Sequence, residues 1–209
     1  MVLEYQNTIQ VATLCLLVAM GIGRMLVLKT KKIRVLVLDS QISKSQLING
    51  YFFIICFFSW IFESISYSFS LNYHIPIPIL DTMILQHIGI KIAGIIFLFC
   101  GLIIYALALY SFRDSWRIGI DRENPGQLIT EGIFKYSRNP IYLSLDFLVA
   151  GTFLLQGRLI FLLLFALIAV SLHIQVLHEE RFLIETYGDL FLKYRSEVDR
   201  YLNIKSLLR

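Results

Sequence analysis

Residues 139–181 read NPIYLSLDFLVAGTFLLQGRLIFLLLFALIAVSLHIQVLHEER. Two apolar runs, about 141–156 and 159–177, are separated only by Gly157-Arg158. So short a connection joins two helices only if they turn back on each other, which predicts a tight antiparallel hairpin. Polar residues gather at both of its open ends. Lys135, Arg138 and Asn139-Pro140 precede the first run, and His178-Glu179-Glu180-Arg181 follow the second. Because the chain returns, these two groups are expected side by side.

The rest of the chain is as apolar as the hairpin. Of 209 residues, 57% are hydrophobic and 16% charged, with a mean hydropathy of +0.69. A soluble domain is nearer half apolar and a quarter charged. Here the excess is blocked into runs of the ~20 residues a spanning helix needs: about 8–28, 47–69 and 84–110, ahead of the hairpin. The expected fold is all-α, a polytopic membrane bundle of about five spanning helices. It is expected to form a single membrane domain over 1–209, with three N-terminal spans in 1–110 and the hairpin half in 111–209.

The net charge of +4 lies in the connections, where it orients a membrane protein and does not mark a nucleic-acid binder. Lys29, Lys31, Lys32 and Arg34 follow the first run, and Arg113 and Arg117 follow the third, whereas SLNYHIPIPILD (70–81) has no lysine or arginine. The N-terminus is therefore expected outside, with the open end of the hairpin and the C-terminus cytoplasmic. Arg158 at the hairpin tip is the one contrary signal. No cleavable signal peptide is expected, since cations follow the first run and do not precede it. Cys15, Cys56 and Cys100 lie in apolar runs without metal spacing, and His173 and His178 lack spaced partners, so no metal is expected.

Charges inside the spans are expensive, and three are singled out: Arg24, Glu63 and Lys91. Glu63 and Lys91 lie at similar depth and are expected to pair. Arg24, near the end of its helix, is expected to snorkel to water.

At the open end of the hairpin, Pro140 suits a first helical turn and Asn139 the N-cap before it. Free backbone amides there, with Arg138, make a corner that favours anions. Gly126 and Gly132 allow sharp turns or close approach of a ligand. Glu179 and Glu180 require partners: either a structural pair with Arg138, or a cationic or hydroxyl-rich ligand held between them. Beyond them, Leu183, Tyr187, Leu190, Phe191, Tyr194, Val198 and Tyr201 recur at helical spacing. This predicts an amphipathic C-terminal helix, broken near Gly188, that lies on the membrane surface or covers the bundle end.

The blocks SWRIGID (115–121), LITEGIFKYSRNPIYLS (128–144) and HEERFLIETYGDLFLKYRSEVDRYL (178–202) resemble the isoprenylcysteine carboxyl methyltransferase and phospholipid methyltransferase superfamily. Its pattern is G-x-[FY]-x-x-x-R-[HN]-P-x-Y, a hairpin, E-E, then [FY]-G-x-x-[FY]-x-x-Y. The resemblance covers roughly the C-terminal half and implies methyl transfer from S-adenosylmethionine to a lipid, prenylated or otherwise amphipathic substrate among membrane lipids. Carried over by position, it implies cofactor contacts at Gly126, Gln127, Leu128, Ile129, Phe134, Asn139, Pro140, Ile141, Tyr142 and Glu179. Arg138, Tyr142, Glu179 and Glu180 would be the catalytic group. Asn139 stands where histidine is common. Gln175 stands where the carboxyl methyltransferase branch has an arginine for the substrate carboxylate, and a neutral amide cannot neutralise one. A membrane sterol or steroid reductase using NADPH shares an R-x-P-x-Y block but usually lacks paired glutamates. A non-catalytic relative would retain the fold alone.

Overall fold

The computed structural model describes residues 5–33, 43–113 and 126–203. Part of the first basic loop and the SWRIGID block lie outside the described residues. Six α-helices are present among them: α1 (Gln6–Thr30), α2 (Lys44–Ser68), α3 (Ile88–Phe112), α4 (Pro140–Gln156), α5 (Leu159–Tyr187) and α6 (Asp189–Glu197). No strand forms among the described residues; Met83 and Arg158 make an isolated bridge. α1, α2, α3 and α5 are long and apolar enough to cross a membrane. α4, at 17 residues, is ~25 Å long, somewhat short of a ~30 Å hydrocarbon core.

The hairpin forms as expected. Gly157 closes α4 in the left-handed region (φ 68), and a Cβ there would stand 2.0 Å from the Leu85 carbonyl oxygen. That carbonyl belongs to an extended stretch before α3, whose Ile84 and Leu85 amides donate to Gly157 O at 2.7 and 3.0 Å. Residues 84–87, read as the start of the third span, are thus spent bracing the hairpin tip, and His87 caps α3 by accepting from Gly89 N at 3.1 Å. Arg158 is also committed. It donates to the Asp81 carbonyl (2.7 Å) and carboxylate (2.6 Å) and lies 4.6 Å above the Tyr67 ring.

α4 packs most extensively on α3, through small residues. Cβ atoms added to Gly94 or Gly151 would each lie within 3.0 Å of the opposite helix's backbone, so the two helices nearly touch. Such close approach maximises dispersion between helices when lipid offers no hydrophobic drive. Phe97 and Phe147 stack beside it at 4.9 Å. α5 is held to α2 by an exchange between Asn49 and Ser171 (Nδ2 to the Ser171 carbonyl, 3.1 Å; Oγ to Oδ1, 3.0 Å). α1 reaches α4 through Gln10 Nε2 and Thr152 Oγ1 at 3.1 Å. Trp60, Leu98, Leu148, Phe161 and Ile168 centre the core. The outward faces present Val18 and Ile22, Ile55 and Phe58, and Ile96 and Phe99, a lipid-compatible surface.

The intramembrane charges do not follow the sequence reading. Glu63, 1% exposed, accepts from the Ile75 amide at 2.6 Å and shares a hydrogen bond with His74 Nδ1 at 3.1 Å. Lys91 Nζ donates to Gln6 Oε1 at 3.0 Å. The expected Glu63–Lys91 pair is absent because α2 packs on α1 and α5, whereas α3 packs on α1 and α4. Equal depth did not make the two residues neighbours. Arg24 keeps Nε and Nη2 enclosed, without a hydrogen-bond partner among the described residues, and does not carry its whole guanidinium out to water.

α5 runs ten residues beyond the expected span, so His178 to Arg181 continue a helix and do not end one. Gly188 breaks the C-terminal segment, as expected, at φ 52. The short α6 then turns Phe191 and Tyr194 onto Phe134, Leu128 and Ile129, forming a cover over the end of the bundle. Leu190, counted in the apolar stripe, is left exposed.

Candidate functional site

Pro140 occupies the first turn of α4 and Asn139 the N-cap position, yet the Asn139 side chain makes no capping bond. Its Nδ2 donates instead to Glu180 Oε1 (3.3 Å) and to the Arg200 carbonyl (3.2 Å). A buried carboxylate is the stronger acceptor and sets the orientation of the amide.

Glu180 is the hub of this end. It is 3% exposed. Arg138 Nε and Nη2 donate to its Oε1 at 3.1 and 2.9 Å, and Arg200 Nε and Nη2 to its Oε2 at 3.2 and 2.8 Å. Arg138 Nη1 further donates to the carbonyls of Arg195 and Val198. One buried carboxylate thereby ties together the start of α4, the end of α5 and the tail after α6. Of the two readings of Arg138 and the glutamates, the structural pair holds for Glu180: both groups are spent on each other and on the tail.

Glu179 is arranged differently. Adjacent helical residues point about 100° apart. Glu179 therefore faces α4, where its Oε1 accepts from Tyr142 Oη and from Gln175 Nε2 (3.3 Å). Among the described residues no hydrogen bond reaches Glu179 Oε2. Tyr142, Gln175 and Glu179 were all singled out in the sequence, and the hairpin brings them into direct contact.

The other expected contacts divide into two groups. Gly126 (φ 74) and Gln127 are exposed at the rim, and the Gly126 carbonyl accepts from Tyr187 Oη at 3.2 Å. Leu128, Ile129 and Phe134 pack with Phe191, Tyr194 and Val198 in a small second core. Tyr194 Oη donates to the Phe134 carbonyl at 2.7 Å, and burial pushes its phenol pKa up. Ile141 packs beside Tyr142 against the main core. An apolar cavity of about 320 Å³ opens nearby, lined by Ile104, Ile133, Tyr136, Ser137, Leu143 and Leu202, and shares none of these residues.

Three participants were not legible in the sequence. Arg200 supplies half of the Glu180 clasp, a role its place in an ordinary-looking VDRYL tail does not announce. Tyr201 Oη shares a hydrogen bond with His173 Nδ1 at 2.7 Å, closing the tail onto α5. Asp146 stands one turn beyond Tyr142 on the same face of α4, with Oδ1 enclosed and without a hydrogen-bond partner among the described residues. A carboxylate inside an apolar run was the signal available for it.

Residues 90–190 match the family model described as phospholipid methyltransferase, a span that holds the hairpin, Arg138, Tyr142, Gln175 and both glutamates. That span is just under half of the chain, and over it the chain is similar to the phospholipid methyltransferase family. It is also 35% identical over 72 residues to the protein-S-isoprenylcysteine O-methyltransferase of Schizosaccharomyces pombe. That alignment covers 34% of this chain and 30% of the relative, so it spans less than a third of the relative's length.

Proposed function

We propose that the chain is an integral membrane methyltransferase, moving a methyl group from S-adenosylmethionine to a lipid or lipid-linked acceptor at the open end of the hairpin. The observation that carries this reading is Glu179. Its Oε1 is buttressed by Tyr142 and Gln175, its Oε2 is uncommitted, and it lies inside the span that matches the family. A carboxylate with one fixed and one available oxygen suits the ribose hydroxyls or the ammonium group of such a cofactor, so the residues present fit it.

The cofactor, when bound, supplies an electrophilic methyl group on a sulfonium. The protein supplies geometry. Glu179 and Tyr142 hold one wall. Asn139, Pro140 and Ile141 form the adjoining helix start, and the exposed Gly126-Gln127 edge offers backbone to a ligand. Leu128, Ile129 and Phe134 act through packing, under the α6 cover, which also keeps water out. Arg138 and Glu180 are positioning residues that fix the two ends of the hairpin. Orientation of the acceptor against the methyl group can supply up to about 7–11 kcal/mol of rate enhancement in favourable cases. The open end is assigned to the cytoplasm from the basic connections. The contrary Arg158 loses its weight because Asp81 accounts for it.

The test is calorimetric titration of the detergent-solubilised chain and a Glu179→Gln variant with S-adenosylmethionine, its demethylated product and NADPH. The first two are expected to bind the parent. The variant is expected to weaken both by about 10-fold or more, as for loss of a hydrogen bond to a charged group. Selective NADPH binding would favour a reductase. Binding of none by folded protein would favour a non-catalytic relative.

A further inference from the structure

S-adenosylmethionine carries a carboxylate beside its ammonium group, and a carboxylate drawn away from water needs a cation or several N–H donors. In sequence, Arg138 is the candidate for that part. The structure instead spends Arg138 and Arg200 on Glu180 and leaves Lys135 and Arg181 exposed. Arg24 is in the opposite condition. It lies within the α1 span, its Nε and Nη2 are enclosed, and among the described residues nothing accepts from them. A cation that only snorkels turns its donors to water; these two are turned away from it. A charge held in a span is expensive and marks a functional site unless a partner accounts for it.

The placement of Arg24 brings it to the open end of the hairpin. Gln10, Thr13, Leu14, Leu17 and Leu28 form the buried face of α1, and Arg24 falls in that series of three- and four-residue steps. Ile22, Met25 and Leu26 face outward. Gln10 meets Thr152 of the antiparallel α4. Arg24 lies fourteen residues further along α1 (24 − 10), or ~21 Å, and the same distance along α4 from Thr152 ends at its start. A second route agrees. A Cβ on Gly21 would lie 3.1 Å from Tyr105 Oη on α3, and Gly101, one turn earlier on α3, lies against Ser144 and Leu148 of α4. Arg24 is therefore within about a turn of the level of Tyr142 and its partner Glu179. α1 packs on α2 and α3, and α5 on α2 and α4, so the two helices face one interior. Among the described residues no ion pair joins Arg24 to Glu179, whose Oε2 is likewise unspent.

We propose that Arg24 completes the cofactor site by pairing with the carboxylate of S-adenosylmethionine, while Glu179 holds the ribose or ammonium group. The inference rests on the methyltransferase reading. It does not follow from the family likeness, because α1 lies outside the matching residues 90–190. The pairing gives an enclosed guanidinium the counter-charge it lacks. It also makes the site selective for a cofactor that keeps its carboxylate, and it ties the N-terminal half of the chain to the hairpin.

The experiment measures binding by calorimetry on the full detergent-solubilised chain, with no acceptor present. The probes are S-adenosylmethionine, its demethylated product and decarboxylated S-adenosylmethionine, which keeps the sulfonium, ribose and ammonium. The parent is expected to bind the first two about 10-fold or more tightly than the third. Arg24→Gln is expected to lose that preference while binding the decarboxylated probe as the parent does, which also shows that the fold persists. Arg24→Lys is expected to restore part of the preference. A parent that binds all three probes alike, or a Gln variant that keeps the preference, would overturn the proposal. Equal loss of all three probes in the Gln variant would make Arg24 a structural residue and overturn it as well. Failure of the folded parent to bind any of them would sink the methyltransferase reading and this proposal together.

Discussion

Replacing Glu180 with glutamine should unfasten the C-terminal tail while leaving the bundle spanning. The side chain keeps its shape, so no cavity opens; what changes is charge. The Arg138 side chain is 8% exposed and that of Glu180 5%, so the substitution leaves a guanidinium away from water without its counter-charge. Removing one partner of such a buried pair costs about 3–5 kcal/mol. Arg200 provides an internal comparison. Its side chain is 29% exposed, and its loss leaves Glu180 still held by Arg138 and Asn139, so Arg200→Gln should cost nearer 1 kcal/mol. The readout is hydrogen exchange at the tail, where Val198 N donates to the Tyr194 carbonyl (3.0 Å) and Asn203 N to the Tyr136 carbonyl (2.8 Å). For local opening, 3 kcal/mol corresponds to roughly 100-fold faster exchange at these amides in the Glu180 variant, against several-fold in the Arg200 variant. Equal acceleration in the two variants, or none in the first, would refute the clasp as the element that holds the tail.

Two further substitutions test the packing. Gly157→Ala would put a Cβ 2.0 Å from the Leu85 carbonyl oxygen, whereas Gly188→Ala, also at positive φ, meets nothing within 4 Å. The second should lower stability by about 1–2 kcal/mol, the backbone cost alone, and the first by clearly more; equal shifts in thermal denaturation would contradict the braced hairpin tip. Tyr194→Phe removes the donor to the Phe134 carbonyl and should cost about 1–3 kcal/mol, seen as faster exchange in α6. Unchanged exchange would mean that α6 is held by its apolar packing and not by this hydrogen bond.

Much of the site could be read from the residues because hairpins impose their own geometry. With only Gly157-Arg158 between them, two helices must run antiparallel, so Arg138 and the glutamates had to meet. The choice between the glutamates could not be read. Which carboxylate faces Arg138 depends on the rotation of α5 about its axis, set by the Asn49–Ser171 exchange and by packing on α2. The part of Arg200 in the clasp could not be read because it joins the site through a tail whose path depends on the Gly188 break and on α6 packing over Phe134.

The sequence by itself determined the membrane class, the run lengths, the hairpin and the polar character of its open end. Each of these follows from local composition and spacing, which the bilayer and short connections convert directly into structure. Only the tertiary structure decided lateral neighbours. Depth along a helix can be counted in residues, but the order of helices around a bundle cannot. Thus Glu63 found the loop amide of Ile75 and His74, Lys91 found Gln6, and Glu180 bound two arginines. Asp146, on the α4 face it shares with Tyr142, was left with no hydrogen-bond partner among the described residues for its enclosed Oδ1.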